Sequence, residues 1–198
     1  MFASELKSIV AIKENELKVN NKSVYDFLHL GFIPAPNTIY QDVFKLNPGA
    51  YLKADKTSLK KKVYWSLKDK ITTKTISNKE EALVKLSDLI MSSVQYQLRS
   101  DVPFGVFLSG GIGSSLVTAQ AVNISGVKIN TFSIGFEENK YNESSYARAV
   151  AKHLDTKHHE FIVSYKNAID LIDAGFESYD EPNADSSIIP TMLVSKLA

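Results

Sequence analysis

The sequence contains no cysteine among its 198 residues, and that absence removes several kinds of chemistry at once. Disulfides, thiolate metal sites and a cysteine nucleophile are all excluded. Long apolar runs are missing too, since no stretch approaches the roughly 18 to 20 consecutive apolar residues of a membrane span. The opening Met1-Phe2-Ala3-Ser4-Glu5 lacks the charged-then-apolar plan of a signal peptide, so a cytoplasmic location without membrane partners is the expectation. Nor is there an excess of charge of one sign: 23 Lys plus Arg face 22 Asp plus Glu. A net charge of +1 gives no general attraction toward nucleic acid or anionic lipid, and any anion site must be local.

What is present suffices for a core, because 44% of the residues are hydrophobic. The first third, to about Trp65, combines a short helical stretch at Ser4 to Val10 with broken apolar pieces. Pro34, Pro36, Pro48 and Gly49 sit where strands and turns should alternate. The run Lys60-Lys61-Lys62 reads as a solvated turn. Residues Asp69 to Asn78 are polar without apolar period and suit a linker. Ser77-Asn78-Lys79-Glu80 then spells a capping box, and Leu83, Leu86, Ile90 and Val94 fall on one helical face that should pack on a sheet.

Beyond that helix the pattern alternates. Phe104 to Leu108 reads as a strand, Ser114 to about Asn123 as a helix, Ile129 to Phe136 as a strand, Glu143 to Leu154 as a helix started by Asn142, and His159 to Val163 as a third strand. This βαβαβ order predicts an α/β fold with a parallel, doubly wound sheet whose ligands bind beyond the carboxyl ends of the strands.

At such an end stands "GVFLSGGIGSS", Gly105 to Ser115. Glycines at 110, 111 and 113 let the backbone approach a ligand, and the helix that follows points free N–H groups and its positive dipole end at the turn. Ser109, Ser114 and Ser115 add hydroxyls, a composition that favours phosphate or pyrophosphate. A Walker loop is excluded because no Lys follows the glycines. A dinucleotide fingerprint using Gly111 and Gly113, with Glu137 as the ribose acid, is opposed by Leu116 at its third small position. The third reading is the pyrophosphate loop of ATP pyrophosphatases, Ser-Gly-Gly-x-Asp-Ser, which Ser109-Gly110-Gly111-Ile112-Gly113-Ser114 matches at five of six positions.

The blocks "SDVPFGVFLSGGIGSSLVTA", "FSIGFEENKYNESSYARAVAKHLDTKHHEF" and "YDEPNADSSIIPTMLVSKLA" resemble, in order and spacing, the synthetase domain of glutamine-hydrolysing asparagine synthetases. "FASELKSIV", "GFIPAPNTIYQDVFKLNPGAYL" and "YWSL" are similar to the last stretch of that family's glutaminase domain. The resemblance implies two parts. Residues 1–68 would be the C-terminal remnant of a type 2 amidotransferase domain, an α+β fold of the N-terminal nucleophile hydrolase kind. Residues 77–198 would be the first part of an ATP-binding domain of the adenine nucleotide alpha hydrolase-like, or ATP pyrophosphatase, type. It further implies an ATP-dependent ligase that adenylates aspartate and aminates it with glutamine-derived ammonia, releasing AMP and pyrophosphate. A related amidotransferase acting on a sugar acid or a β-amino acid, and a nucleotide-binding module without catalysis, remain alternatives.

By the same resemblance Leu108, Ser109, Gly110, Gly111, Gly113, Ser114 and Ser115 would contact ATP or pyrophosphate, with Ser133, Ile134 and Gly135 beside the adenine. The sequence departs from the family in three places. The amino-terminal cysteine nucleophile is absent, so no catalytic residue is assigned here and this chain alone is expected to be inactive. A second acidic loop, Ser-Gly-Asp/Glu-Gly-x-Asp-Glu, does not occur. Gly113 stands where the family has the Asp that helps hold Mg²⁺, so no metal ligand is assigned and Mg²⁺ dependence should be weakened. Two further clusters have structural explanations at hand. His158, His159 and Glu160 are adjacent on a strand and point to opposite faces, which opposes a shared metal. Asp180, Glu181 and Asp185 suit either a substrate-side cluster or a helix start at Asp185-Ser186-Ser187.

Overall fold

The computed structural model describes residues 1–13, 16–71, 76–138, 142–164, 169 and 171–198. Its contacts divide the chain into two compact units, one of Met1–Thr75 with Asp173–Ser186 and one of Ile76–Ile172 with Ser187–Ala198.

The first unit holds helices α1 (Leu6–Lys13) and α2 (Asn21–Leu30), a hairpin of β1 (Ala50–Ala54) and β2 (Leu59–Val63), the short α3 (Leu67–Lys70) and most of α7 (Ile172–Ser178). Asn20 caps α2 by accepting from the Lys22 and Ser23 amides, and Gly31 ends it in the left-handed region, at φ 78°. The lysine run is corrected here. Lys60, Lys61 and Lys62 lie within β2, paired antiparallel with Lys53, Leu52 and Tyr51. The three consecutive lysines mask an alternation with Leu59 and Val63, and the backbone ladder, not the side chains, defines the strand. The Asp55 carboxylate closes the hairpin turn by accepting from Thr57 and Ser58. The hydrogen bond from the Ser58 hydroxyl is the largest of the effects that push its pKa down to about 2.

The acids near Pro182 are tied to this same unit. Asp180 accepts from the Leu6 amide at 2.5 Å and the Lys7 amide at 3.3 Å, so it caps the amino end of α1 from 173 or more residues away. Glu181 pairs with the Lys45 ammonium and accepts from the Ile39 amide at 3.1 Å. The Ala184 amide donates to the Gly31 carbonyl at 2.9 Å. Asp180 and Glu181 therefore do structural work, and the helix that follows begins at Ile188 with Ser187 at its cap position.

The second unit opens with α4 (Lys79–Gln97), and the expected capping box is displaced by one residue: Asn78, not Ser77, caps it by accepting from the Glu81 amide. The expected linker, Asp69 to Asn78, begins inside α3 and ends on the cap residue of α4, and its residues 72–75 lie outside the described residues. Only the carboxyl half of α4 packs. Val94, with Ile90 and Leu98 beside it, joins a cluster with Ala121, Ile129, Phe104 and Val106, whereas Leu83 and Leu86 stay 55% and 53% exposed. The continuous packing face expected of Leu83, Leu86, Ile90 and Val94 is thus half realised.

The rest follows the expected alternation: β3 (Gly105–Phe107), α5 (Ile112–Ser125), β4 (Asn130–Phe136), α6 (Ser144–His153), β5 (Lys157–Val163) and, after α7, α8 (Ile188–Leu197). The three strands are parallel in the order β3-β4-β5. The expected helix starts each shift by one or two residues. Glu143 takes the cap position of α6, and Asn142 accepts from the Ser144 amide at 3.0 Å.

Alternate residues of β4 serve different neighbours. Phe132 stacks on His159 with ring centroids 5.0 Å apart, while Thr131 and Ser133 bond His158. His158 Nδ1 lies 2.9 Å from the Thr131 hydroxyl and Nε2 lies 3.2 Å from that of Ser133. His159 Nε2 meets Asn130 Oδ1 at 3.1 Å. The two imidazoles thus have separate partners, as adjacent strand positions require. Among the described residues no group of three or more His, Asp or Glu side chains is placed to hold a metal ion.

Burial of the His158 ring lowers its pKa below the ordinary 6.5; His159 and Arg148 act in the same direction and Glu160 opposes them. Below pH 6.5 the unfolded chain takes up this proton before the folded one does, so stability falls as the pH drops toward the depressed folded value and levels beneath it. The urea midpoint of the native chain should therefore fall between about pH 7.5 and about pH 5.5 by more than that of His158→Gln. Equal falls in both proteins would remove His158 from this account.

Candidate functional site

Leu108 leaves β3 with 1% exposure, held by its amide on the Phe132 carbonyl at 2.8 Å and by packing against Ala147 and Ala151 of α6. The chain then surfaces and turns at once into α5. Gly110 adopts φ 84°, the left-handed region that favours glycine. Space matters as much as φ: a Cβ on Gly110 would lie 2.5 Å from the Ala147 nitrogen and 2.7 Å from the Tyr146 Cβ. The turn therefore rests directly on the first turn of α6. Gly111 follows as the cap residue of α5, in extended backbone, with its carbonyl accepting from the Ser115 amide at 3.0 Å.

The serines knit this turn together. Ser114 Oγ accepts from the Ser109 amide at 3.3 Å, meets Ser109 Oγ at 2.9 Å and donates to the Gly111 carbonyl at 3.1 Å. Ser109 Oγ accepts from the Gly111 amide at 3.4 Å. Ser115 differs, because its Oγ is buried with no hydrogen-bond partner. Gly113, on the first turn of α5, has no atom within 4 Å of where a Cβ would stand.

Beside the turn, wholly within the second unit, is a cavity of about 370 Å³. Phe107, Leu108 and Ser109 at the carboxyl end of β3 line it, with Phe132, Ser133, Ile134 and Phe136 from β4. Pro190, Thr191 and Val194 of α8 line it too, together with Glu143. Of the residues expected from sequence, Leu108, Ser109, Ser133 and Ile134 meet at this cavity. Gly110, Gly111, Gly113, Ser114 and Ser115 form the adjoining turn and helix start. Gly135 does not line the cavity; it leaves room for Ile162, Ser144 and Asn142 on the α6 side of the sheet.

Sequence reasoning did not single out Glu143, Pro190, Thr191, Val194 or the three phenylalanines. The aromatic residues read as ordinary core. Glu143 had a signal, since it immediately precedes a helix that follows the carboxyl end of a strand, the position from which side chains reach a ligand in parallel sheets.

The contrast between the two glycines is measurable. Gly110→Ala should destabilise by about 2 to 4 kcal/mol, combining left-handed strain with the clash on α6. Gly113→Ala, at an open helical position, should stabilise by about 0.5 to 1 kcal/mol. Urea unfolding of the two variants checks both signs, and similar values would mean that the turn does not rest on α6 as described.

Comparison with known proteins adds the wider context. The asparagine synthase family model matches residues 85–198, and the glutamine amidotransferase domain model matches residues 1–65. A putative glutamine-hydrolyzing asparagine synthetase 2 of Methanocaldococcus jannaschii is 39% identical over 203 residues, covering all of this chain and 39% of that protein. Glutamine-hydrolyzing asparagine synthetase 1 of Bacillus subtilis is 32% identical over 200 residues, covering 100% of this chain and 30% of its own length. In Arabidopsis thaliana, glutamine-hydrolyzing asparagine synthetase 2 is 35% identical over 123 residues, covering 56% of this chain and 21% of that protein. The chain thus spans less than half the length of these relatives. With a family model over residues 85–198 and identity at this level along its whole length, the chain belongs to the asparagine synthase family.

Proposed function

We propose that the parallel-sheet unit is a nucleotide-binding domain of the ATP pyrophosphatase type, with the sheet forming part of a doubly wound parallel fold. In domain terms, residues 1–68 belong to an amidotransferase domain and 77–198 to the ATP-binding domain. The complete protein would transfer glutamine-derived ammonia to aspartate, making asparagine through an aspartyl adenylate and releasing AMP and pyrophosphate. The observation that carries this reading is the turn Ser109 to Ser115. It lies at the carboxyl end of a parallel strand, opens a helix and adjoins a cavity of a size suited to a small organic ligand.

The residues present fit ATP. The amides of the first turn of α5 have no partner within the helix and face the end of the helix where an anion is favoured, and Gly110 lets the turn adopt the left-handed backbone that leads into it. Leu108, Phe132 and Ile134 offer apolar surface to a base. Bound ATP would supply an electrophilic phosphorus for carboxylate activation; the chain's own contribution is to hold the pyrophosphate portion on fixed N–H groups and to keep water from the apolar floor. Gly113 brings no carboxylate to the loop where the family has Asp, so Mg²⁺ would be held more weakly than in the family and no step is assigned to the ion. This same position favours a second reading, a nucleotide-binding module without catalysis.

Titration calorimetry of this chain with ATP and with pyrophosphate tests the site. Both should bind, with little dependence on Mg²⁺. The open space at position 113 admits Asp, and Gly113→Asp should gain about tenfold or more in affinity when Mg²⁺ is added. Identical curves for the two proteins would deny position 113 this role, and failure of both ligands to bind would overturn the nucleotide reading. With no cysteine in the chain, ammonia release from glutamine should not exceed that of a heat-inactivated sample.

A further inference from the structure

Glu143 is the one charged side chain lining the cavity among the described residues. It occupies the cap position of α6, where a carboxylate ordinarily accepts from the amides one turn on, yet it makes no side-chain capping bond. Its carbonyl does that work, accepting from the Tyr146 amide at 3.0 Å and the Ala147 amide at 3.3 Å. Asn142 takes the neighbouring Ser144 amide. The backbone of Glu143 is thus fixed beside the cavity, while its exposed side chain lines that cavity with no hydrogen-bond partner among the described residues.

Its placement constrains what it recognises. The backbone that carries it is the turn of α6 on which Gly110 rests, and its side chain lines the same cavity as Ser109 of the anion-holding turn. A carboxylate repels phosphate and must face a portion of the ligand that donates hydrogen bonds. In a nucleotide with its phosphates on the turn and its base on Phe132 and Ile134, the part between them is the ribose, whose vicinal 2′- and 3′-hydroxyls present two donors to the two oxygens of one carboxylate. We propose that Glu143 reads the ribose diol, making this site selective for ribonucleotides over deoxynucleotides. The proposal rests on the nucleotide reading of the cavity and adds a specificity-determining residue to it.

The test compares ATP, 2′,3′-dideoxy-ATP and pyrophosphate by calorimetry, on the native chain and on Glu143→Ala. The native chain should bind ATP about tenfold or more tighter than the dideoxy analogue. Glu143→Ala should lose that preference by weakening for ATP relative to the dideoxy analogue, while dideoxy-ATP and pyrophosphate bind at least as tightly as before; their retained affinities also show that the variant is folded. Equal affinity of the native chain for ATP and the dideoxy analogue would overturn the proposal while leaving the nucleotide site in place. So would a preference that survives in Glu143→Ala, which would assign the discrimination to another group. Absence of binding by ATP and pyrophosphate alike would remove the site itself, and the proposal with it.

Discussion

The close approach of two backbones at Gly110 governs the geometry of the second unit. The turn after β3 lies so near the first turn of α6 that no side chain fits between them, and the helix must present small residues to come that close. It does so on one stripe: Ser144, Ala147 and Ala151, spaced by three and four, are its buried positions. Gly135 repeats the arrangement on β4, where a Cβ would lie 3.0 Å from that of Ser144. Leu108 fills the space that remains. With α6 drawn against the strand ends, Ser109 of the turn and Glu143 come to line the same cavity. The affinity of such a site would come from these local dipoles and not from the net charge of +1.

Much of this was written in the sequence, because the governing signals are local. The alternation from β3 to β5 follows from apolar runs separated by cap residues and glycines, and the glycine turn announces itself by composition. Other features depend on partners far along the chain. Asp180 and Glu181 look like a ligand cluster or a helix start until their partners appear at Leu6, Lys7, Ile39 and Lys45. The periodic face of α4 gave no hint that its amino half would stay exposed, since periodicity reports which residues share a face and not how much of that face is covered. Glu143 was concealed differently. An acidic residue ahead of a helix is explained by capping alone, and only the structure shows that the capping bond is not made.

The same distinction separates the two glycines that flank Gly111. At Gly110 both the backbone angle and the neighbouring helix demand the absence of a side chain. At Gly113 neither does, and the residue lies in ordinary helix with open space around it. Glycine at 110 is a requirement of the fold, whereas at 113 it determines only which chemical group the loop presents.

The attachment of residues 173–186 bears on how the chain can be divided. This segment lies inside the stretch matched by the asparagine synthase model, yet its contacts belong with the amino-terminal residues, so the polypeptide passes from one unit to the other three times. Neither unit is a continuous piece of chain. A cut near residue 75 would strip Asp180 of the helix end it caps and Glu181 of Lys45, leaving two carboxylates without the groups that balance them. The boundary legible from family membership is therefore not one at which the chain separates into its two units, because residues 173–186 from beyond it complete the first.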